Sequence, residues 1–251
     1  MLLCGKSLSG FSVLYCLFSC VESGKEILLR KAQSSMIIDL SHPLEAGMPS
    51  YPGLPAPRFH VFLSHDDEEA QKKYASGTTF QIARYDMGGN TGTYIDSPFH
   101  RHRTGEDLLR LPLSKMVNLP GVLVRVVGEG PIGPEHFRNL DVDAKAVLVR
   151  TDWSKRWRRD YFMSGPYLTS EACETLAQAG ATLVGIDCAN IDNMKDPERP
   201  AHTILLGAGI PIVEHLRGLD KLTGKRFRFF AAPPAIEEGT SFPVRAFAIC
   251  D

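Results

Sequence analysis

"GNTGTYIDSPFHRHR", residues Gly89 to Arg103, combines polar and ionisable side chains with a proline turn. The polar side chains recur at every second position and are Asn90, Tyr94 and Asp96. In an extended strand such positions share one face, and the turn at Pro98 can bring His100 back toward that face. The segment therefore predicts a polar pocket beside a strand, although the alternation taken alone favours an edge strand with a solvated polar face.

The rest of the chain reads as a mixture of strands and helices. Continuous apolar runs such as "KAVLVRT" (145–151) and "TLVGID" (182–187) are typical of buried strands. "LTSEACETLAQAG" (168–180) predicts a helix capped by Thr169 or Ser170, and "RPAHTILLGAG" (199–209) predicts another with its proline in the first turn. Strands outnumber helices in mixed order, which predicts a single α/β domain with a mixed β-sheet core and helices packed on its faces.

Composition limits the classes of partner. The chain has 251 residues, 43% of them hydrophobic and 23% charged, which suits one globular domain. A formal net charge of −1 gives no electrostatic reason to bind nucleic acid or a membrane surface, so the expected partner is a small-molecule substrate. The six cysteines form no C-x-x-C pair, which favours reduced thiols and a cytoplasmic protein.

The N-terminal segment differs in character from the rest. "GFSVLYCLFSC" (10–20) is apolar but shorter than the roughly 20 residues that span a bilayer. Because the globular pattern begins with "MIIDLSHPL" at Met36, residues 1–35 are interpreted as a disordered leader or a mis-assigned start, and residues 36–251 as the domain. The alternative is an exported protein, with residues 1–22 acting as a signal segment.

Two segments resemble the cyclase superfamily of metal-dependent hydrolases, which includes bacterial kynurenine formamidases and isatin hydrolases. "NTGTYIDSPFH" (90–100) resembles the family signature H-x-G-T-H-x-D-x-P-x-H, with Asn90 and Tyr94 in place of its first two histidines. "AHTILLGAGIPIVEHLRGLDKL" (201–222) resembles the distal site segment of the family, in which a histidine and a glutamate stand twelve positions apart. The resemblance extends from about Met36 to Cys250.

This resemblance implies a cyclase-type swivelling β/β/α fold, a homo-oligomer, and one or two divalent metals that activate water for attack on a carbonyl carbon. Matched position by position, the metal ligands that remain are Asp96, His202 and Glu214. Asp96 also belongs to the catalytic pair, in which His100 serves as general acid and base.

The two replacements weaken the expected metal site. An amide oxygen is a weaker ligand than imidazole for zinc-type ions, and a phenol with a pKa of about 10 must first lose its proton. We therefore expect one weakly held divalent ion, Mn or Zn with Mg as a further option. The alternative is no metal, with Asn90 and Tyr94 binding the substrate through hydrogen bonds.

The function implied is hydrolysis of an amide or formamide C–N bond, as in an arylformamidase acting on N-formylkynurenine. Cyclic amides, imides and lactones are alternative substrates, and a metal-free ligand-binding relative is an alternative of another class. Tyr51 and Trp153 lie near the matched segments and are candidates for an aromatic wall against a flat substrate, with simple core packing as their other interpretation.

Overall fold

The computed structural model describes residues 36–251. The predictions made for residues 1–35, a leader or a signal segment, lie outside the described residues. No helix within the described part combines the length and the apolar character needed to cross a bilayer. Cys173, Cys188 and Cys250 are buried free thiols, as the cysteine pattern predicts.

Thirteen strands and three helices make up residues 36–251. The strands are β1 (Met36–Asp39), β2 (Arg58–Leu63), β3 (Ile82–Asp86), β4 (Tyr94–Asp96), β5 (Leu119–Arg125), β6 (Pro131–Ile132), β7 (Ala146–Arg150), β8 (Tyr167–Leu168), β9 (Leu183–Ile186), β10 (Ile212–Glu214), β11 (Phe227–Phe230), β12 (Ser241–Pro243) and β13 (Phe247–Cys250). The helices are α1 (Glu68–Gln71), α2 (Ser170–Gln178) and α3 (Pro200–Gly207).

Nine of these strands form one sheet in the order β1-β13-β11-β5-β7-β9-β10-β4-β12. The central strands β5, β7, β9 and β10 run parallel to one another, whereas all pairs on either side of this group are antiparallel. The predicted mixed sheet is therefore confirmed. Strands β7 and β9 are continuously apolar because both of their faces are covered.

The sheet separates two hydrophobic cores. Helices α2 and α3 cover one face, where Leu176 and Leu205 pack with Val147 of β7. On the other face, Leu148 and Phe229 pack against side chains from loops and short 3₁₀ turns, including Leu219. Both helices begin where the sequence predicts: the Thr169 side chain caps α2 by accepting from the Ala172 N–H at 3.2 Å, and Pro200 opens α3.

The signature strand is shorter than the sequence predicts. Only Tyr94–Asp96 is extended, because Gly92 has a φ of +65° and turns the chain before it. A Cβ at Gly92 would also meet a terminal methyl group of Leu44 at 2.5 Å, and together with the positive φ this favours glycine at the position. Asn90 consequently lies in a turn rather than on the strand face.

A separate antiparallel pair, β2 and β3, stands apart from the main sheet. Its strands expose large apolar side chains, among them Val61, Phe62 and Tyr85. The short helix α1 connects these two strands and is capped by Asp67, whose side chain accepts from the Ala70 N–H at 3.0 Å.

Candidate active site

The pairing of β4 with β10 brings the two matched segments together. In this antiparallel register Asp96 lies opposite Ile212, and Tyr94 lies opposite Glu214. Strand β4 is short because Pro98 follows it, and a 3₁₀ turn at Pro98–His100 redirects His100. Two segments more than 100 residues apart in sequence thus meet on one side of the sheet.

A cavity of about 460 Å³ opens where these segments meet. Its volume falls in the roughly 300–1,000 Å³ range of small-molecule sites. The predicted site residues that line it are Tyr51, Asn90, Tyr94, His100, His202 and Glu214. The convergence that the sequence comparison implied is therefore present.

Three ligand side chains cluster beside this cavity. Asp96, His100 and His202 each offer one ligand atom, and these atoms lie within 4.8 Å of one another. The Oδ2 atom of Asp96 is 3.7 Å from Nε2 of His202, and its Oδ1 atom is 3.9 Å from Nε2 of His100. Asp96 is fully buried, and its Oδ2 atom has no hydrogen-bond partner within the described part of the chain. A buried carboxylate oxygen without a partner is costly unless something binds it.

His202 is held in place by a second carboxylate. Its Nδ1 atom lies 2.5 Å from Oδ2 of Asp192, and the other oxygen of this carboxylate, Oδ1, accepts the Ala201 N–H at 2.6 Å in the first turn of α3. The other ring nitrogen is thereby aimed at Asp96. Burial opposes a charge on this ring, but the hydrogen bond to Asp192 and the nearby carboxylates of Asp96 and Glu214 outweigh it and raise the pKa of His202 to about 10. The surroundings thus favour positive charge at this point.

These residues fit one divalent cation. Metal-ligating histidines commonly present their other ring nitrogen to a carboxylate, as His202 does to Asp192. Two ligands of one tetrahedral zinc ion, each about 2.1 Å from it, lie roughly 3.4 Å apart. The 3.7 Å between Oδ2 of Asp96 and Nε2 of His202 is close to that separation, and among residues 36–251 this Asp96 oxygen has no hydrogen-bond partner.

Glu214, predicted as a metal ligand, lines the cavity but stands outside this cluster. The Tyr94 hydroxyl donates to its Oε2 atom, and the Ile191 N–H donates to its Oε1 atom at 2.6 Å. Burial raises the pKa of Glu214 to about 7, against the opposing charge of His202. Burial and the Glu214 charge also raise the pKa of Tyr94 well above its usual range, so Tyr94 is a neutral donor.

Asn90 bridges Asp96 and a neighbouring strand. Its Nδ2 atom donates to Oδ1 of Asp96 at 3.4 Å, and its Oδ1 atom accepts from Ser241 of β12 at 3.0 Å. Gly89 allows this close approach, since a Cβ there would lie 2.3 Å from the Ser241 carbonyl oxygen. Asn90 therefore orients Asp96 as well as lining the cavity.

Tyr51 and Trp153, the two residues predicted to form an aromatic wall, lie in different parts of the structure. Tyr51 lines the cavity, and its hydroxyl is 3.2 Å from Nη2 of Arg199. Trp153 lies instead in the hydrophobic core, with 4% of its surface exposed, and its indole N–H donates to the Tyr161 carbonyl at 2.9 Å. The structure thus corrects the expectation that Trp153 contacts substrate, because the indole is satisfied within the core.

Sequence reasoning missed four residues of this region. Asp192 orients His202, while Asn190, Arg101 and Arg199 line the cavity. Asp192 stands eight positions before Pro200, too far along the chain to be identified as a capping residue of α3 from the sequence. No sequence spacing identifies the other three.

Curated relatives match most of the chain. A kynurenine formamidase of Bacillus mycoides (strain KBAB4) is 28% identical over 216 residues, which cover 85% of this chain and 97% of that protein. A kynurenine formamidase of Bacillus cytotoxicus is 29% identical over the same coverage. The similarity therefore spans nearly the full length of these relatives.

Solved structures share the fold. Isatin hydrolase A from Labrenzia aggregata, bound to benzyl benzoate, superposes with a TM-score of 0.74 at 26% identity, covering 86% of this chain and 93% of that one. A potential metal-dependent hydrolase with cyclase activity superposes with a TM-score of 0.71 at 25% identity, covering 87% and 99%. The Cyclase family model matches residues 38–193, more than half of the chain. This protein belongs to the Cyclase family.

Proposed function

We propose that the protein is a metal-dependent hydrolase that opens an amide or formamide C–N bond, with an aryl formamide such as N-formylkynurenine as the nearest substrate. One observation carries the proposal: the unpartnered Asp96 oxygen faces Nε2 of His202, with His100 beside them at the cavity. The relatives support it, since one group is named for hydrolysing a formamide and the other for hydrolysing isatin, a cyclic amide.

Asp96 and His202 are the residues that would hold the ion, and Asp192 keeps the His202 ring in its ligating orientation. Manganese or zinc suits this oxygen and nitrogen donor set, and magnesium is a further option. When bound, such an ion polarises the substrate carbonyl and lowers the pKa of a water molecule. Glu214 would be a further residue to hold the ion if its Oε2 atom were released from the Tyr94 hydroxyl.

His100 is the residue that moves protons. Its side chain is 31% exposed, so the ring reaches both the cavity and solvent, and Nε2 lies 3.9 Å from Asp96. In this role the imidazole takes a proton from the water as oxygen bonds to the carbonyl carbon. It then delivers that proton to the leaving nitrogen as the C–N bond breaks, which yields a carboxylic acid and an amine.

Asn90 and Tyr94 hold the acidic groups in place. Asn90 donates a hydrogen bond to Asp96, and Tyr94 donates one to Glu214. Each of the two residues that replace a signature histidine therefore binds a carboxylate that the family resemblance assigns to the metal.

Cyclic amides, imides and lactones fit the same chemistry, because each presents a carbonyl to water.

The Tyr94–Glu214 hydrogen bond also favours a second candidate, a ligand-binding relative that holds no metal. In that case the positive charge of protonated His202 would balance the negative charge of Asp96. The cavity would then bind a small molecule without hydrolysing it.

One experiment separates the two candidates. The purified protein would be assayed for hydrolysis of N-formylkynurenine with and without added Mn²⁺ or Zn²⁺, and its metal content would be measured by elemental analysis. Asp96→Asn tests the site, and Asp86→Asn, an exposed carboxylate in β3, is the matched control. We expect metal-stimulated activity that is lost in Asp96→Asn only. No hydrolysis of any amide at any metal loading would support the binding protein instead.

A further inference from the structure

Two arginines line the cavity without a carboxylate to balance them. Arg101 directly follows His100, and Arg199 directly precedes α3. Among residues 36–251, no Asp or Glu oxygen lies within 4.0 Å of either guanidinium. Cavity arginines normally bind an anion, because the guanidinium fork matches a carboxylate in shape and charge.

Neutral groups hold both arginines at the first turn of α3. Nε of Arg101 donates to the Thr203 hydroxyl at 2.9 Å, and that hydroxyl is 2.8 Å from the Arg199 carbonyl. Nη2 of Arg199 donates to the Tyr51 hydroxyl at 3.2 Å, and its other contacts are loop carbonyls at 3.4 Å or more. These contacts hold both arginine side chains in place and leave other N–H donors of each guanidinium group available to bind a ligand.

The backbone of Arg199 supports a role at the site. Its φ of 52° and ψ of 57° place it in the left-handed region, which is unfavourable for a residue that carries a Cβ. Such conformations persist where surrounding structure enforces them, and they concentrate at ligand sites. Here the strained residue is one whose side chain reaches into the cavity.

The acids of the cavity cannot serve as partners for these arginines. Asp96 faces His202 and His100, and both oxygens of Glu214 accept hydrogen bonds from Tyr94 and Ile191. The cavity therefore divides into an acidic part suited to a cation and a basic part suited to an anion. Pro52 and Leu54 add apolar surface beside Tyr51.

We infer that Arg199 and Arg101 bind a carboxylate of the substrate, so that the substrate class is an aryl amide carrying a carboxylate. This inference rests on the proposed function of the same cavity. The aromatic part packs against the apolar wall at Tyr51, the carboxylate pairs with the two guanidinium groups, and the amide carbonyl reaches Asp96, His202 and His100. The arginines thus distinguish a charged substrate from a neutral one.

Fluorescence titration with two matched probes tests this without any reaction. The probes are 2-aminobenzoate, which is an anion, and its neutral methyl ester, and the protein is the full chain with its metal content measured. Arg199→Gln and Arg101→Gln remove the proposed contacts, whereas Arg103→Gln removes an equal charge at an exposed position outside the cavity wall.

We expect each cavity variant to weaken 2-aminobenzoate binding at least ~10-fold, because charge-assisted hydrogen bonds are lost. Binding of the methyl ester should stay within about 2-fold in every variant, and Arg103→Gln should match the parent protein for both probes. Three results would overturn the inference: no binding of 2-aminobenzoate to the parent protein, parent-like affinity for 2-aminobenzoate in both cavity variants, or equal weakening of both probes in those variants, which indicates a structural role.

Kinetics separate this inference from the proposed function. With 2-formamidobenzoate and its methyl ester as substrates, Arg199→Gln should raise the ratio of KM for the acid to KM for the ester at least ~10-fold, whereas Arg103→Gln should leave that ratio as in the parent protein. If no formamide is hydrolysed while the binding pattern holds, the proposed function fails and the anion site stands. If both substrates are hydrolysed and Arg199→Gln does not change their KM ratio, the anion site fails and the hydrolase stands.

Discussion

Tyr94 donates a hydrogen bond to Glu214 across the antiparallel pair of β4 and β10. The phenol stands where the family signature carries a histidine, and it satisfies a carboxylate that the resemblance assigns to the metal. Because burial keeps Tyr94 protonated, the pair competes with a cation for Glu214. This competition is the reason why we expect the site to bind a divalent ion weakly.

Restoring the two signature histidines should strengthen metal binding. In the double variant Asn90→His, Tyr94→His, two imidazoles replace an amide and a phenol, and Glu214 loses the hydroxyl that binds it. We expect Zn²⁺ affinity to rise at least ~10-fold, measured by titration against a competing chelator. Tyr85→His, on the exposed strand β3, is the control and should have no effect. Unchanged affinity in the double variant would mean that the signature does not face the metal.

Removing the charge of Asp192 should weaken the site through His202. Asp192→Asn takes away the carboxylate that fixes the His202 ring, and we expect metal affinity to fall roughly 10- to 100-fold. Isothermal titration with Mn²⁺ gives the measurement. Asp196→Asn changes a carboxylate of the same loop that does not contact His202. An equal loss in both variants would point to a general effect of loop charge.

Substitutions of Trp153 and Tyr51 should have different effects, the first on folding stability and the second on ligand binding. Trp153→Ala removes a large core side chain, so we expect it to lower the free energy of unfolding by about 3–5 kcal/mol in urea denaturation. Tyr51→Phe removes only a hydroxyl at the cavity wall and should change that free energy by less than about 1 kcal/mol while altering ligand affinity. A reversed pattern would show that Trp153, rather than Tyr51, contacts the ligand.

His42 should make stability depend on pH. Its ring stacks on Trp157 with the centroids 3.9 Å apart, and burial, together with nearby positive groups, lowers its pKa from 6.5 to about 3. Protonation therefore favours the unfolded chain, so the stabilisation is complete above pH 6.5 and is lost progressively as the pH falls toward 3.

Between pH 7.5 and pH 5, this residue should account for about 2 kcal/mol of lost unfolding free energy. His42→Phe keeps the stacked ring and should flatten the pH dependence by that amount in urea denaturation. His60→Phe changes an exposed histidine of β2 and should leave the dependence as it is. A parent-like slope in His42→Phe would contradict the assignment.

The fold was largely predictable because its elements carry local signals. The apolar run of β7 and the cap and stripe of α2 each identify one element, and the spacing of His202 and Glu214 matches α3 followed by β10. A resemblance in two segments then sufficed to predict that they meet. This convergence follows from the pairing of β4 with β10.

Contacts made by turns and loops were not predictable in this way. Asn90 leaves the strand because Gly92 takes a positive φ, and Asp192 reaches His202 from a loop whose path no periodicity encodes. Trp153 looked like a cavity residue from its place in sequence, yet its indole N–H finds a carbonyl within the core. Each of these depends on tertiary distances rather than on local pattern.

The most direct test is a crystal structure of the protein soaked in Mn²⁺, with diffraction recorded to locate manganese by its anomalous scattering. The account predicts one anomalous peak between Oδ2 of Asp96 and Nε2 of His202, about 2.0–2.3 Å from each atom. It also predicts that the peak disappears in Asp96→Asn crystals. A peak bound elsewhere, or full occupancy that persists in Asp96→Asn, would contradict the central claim that these two residues hold the ion.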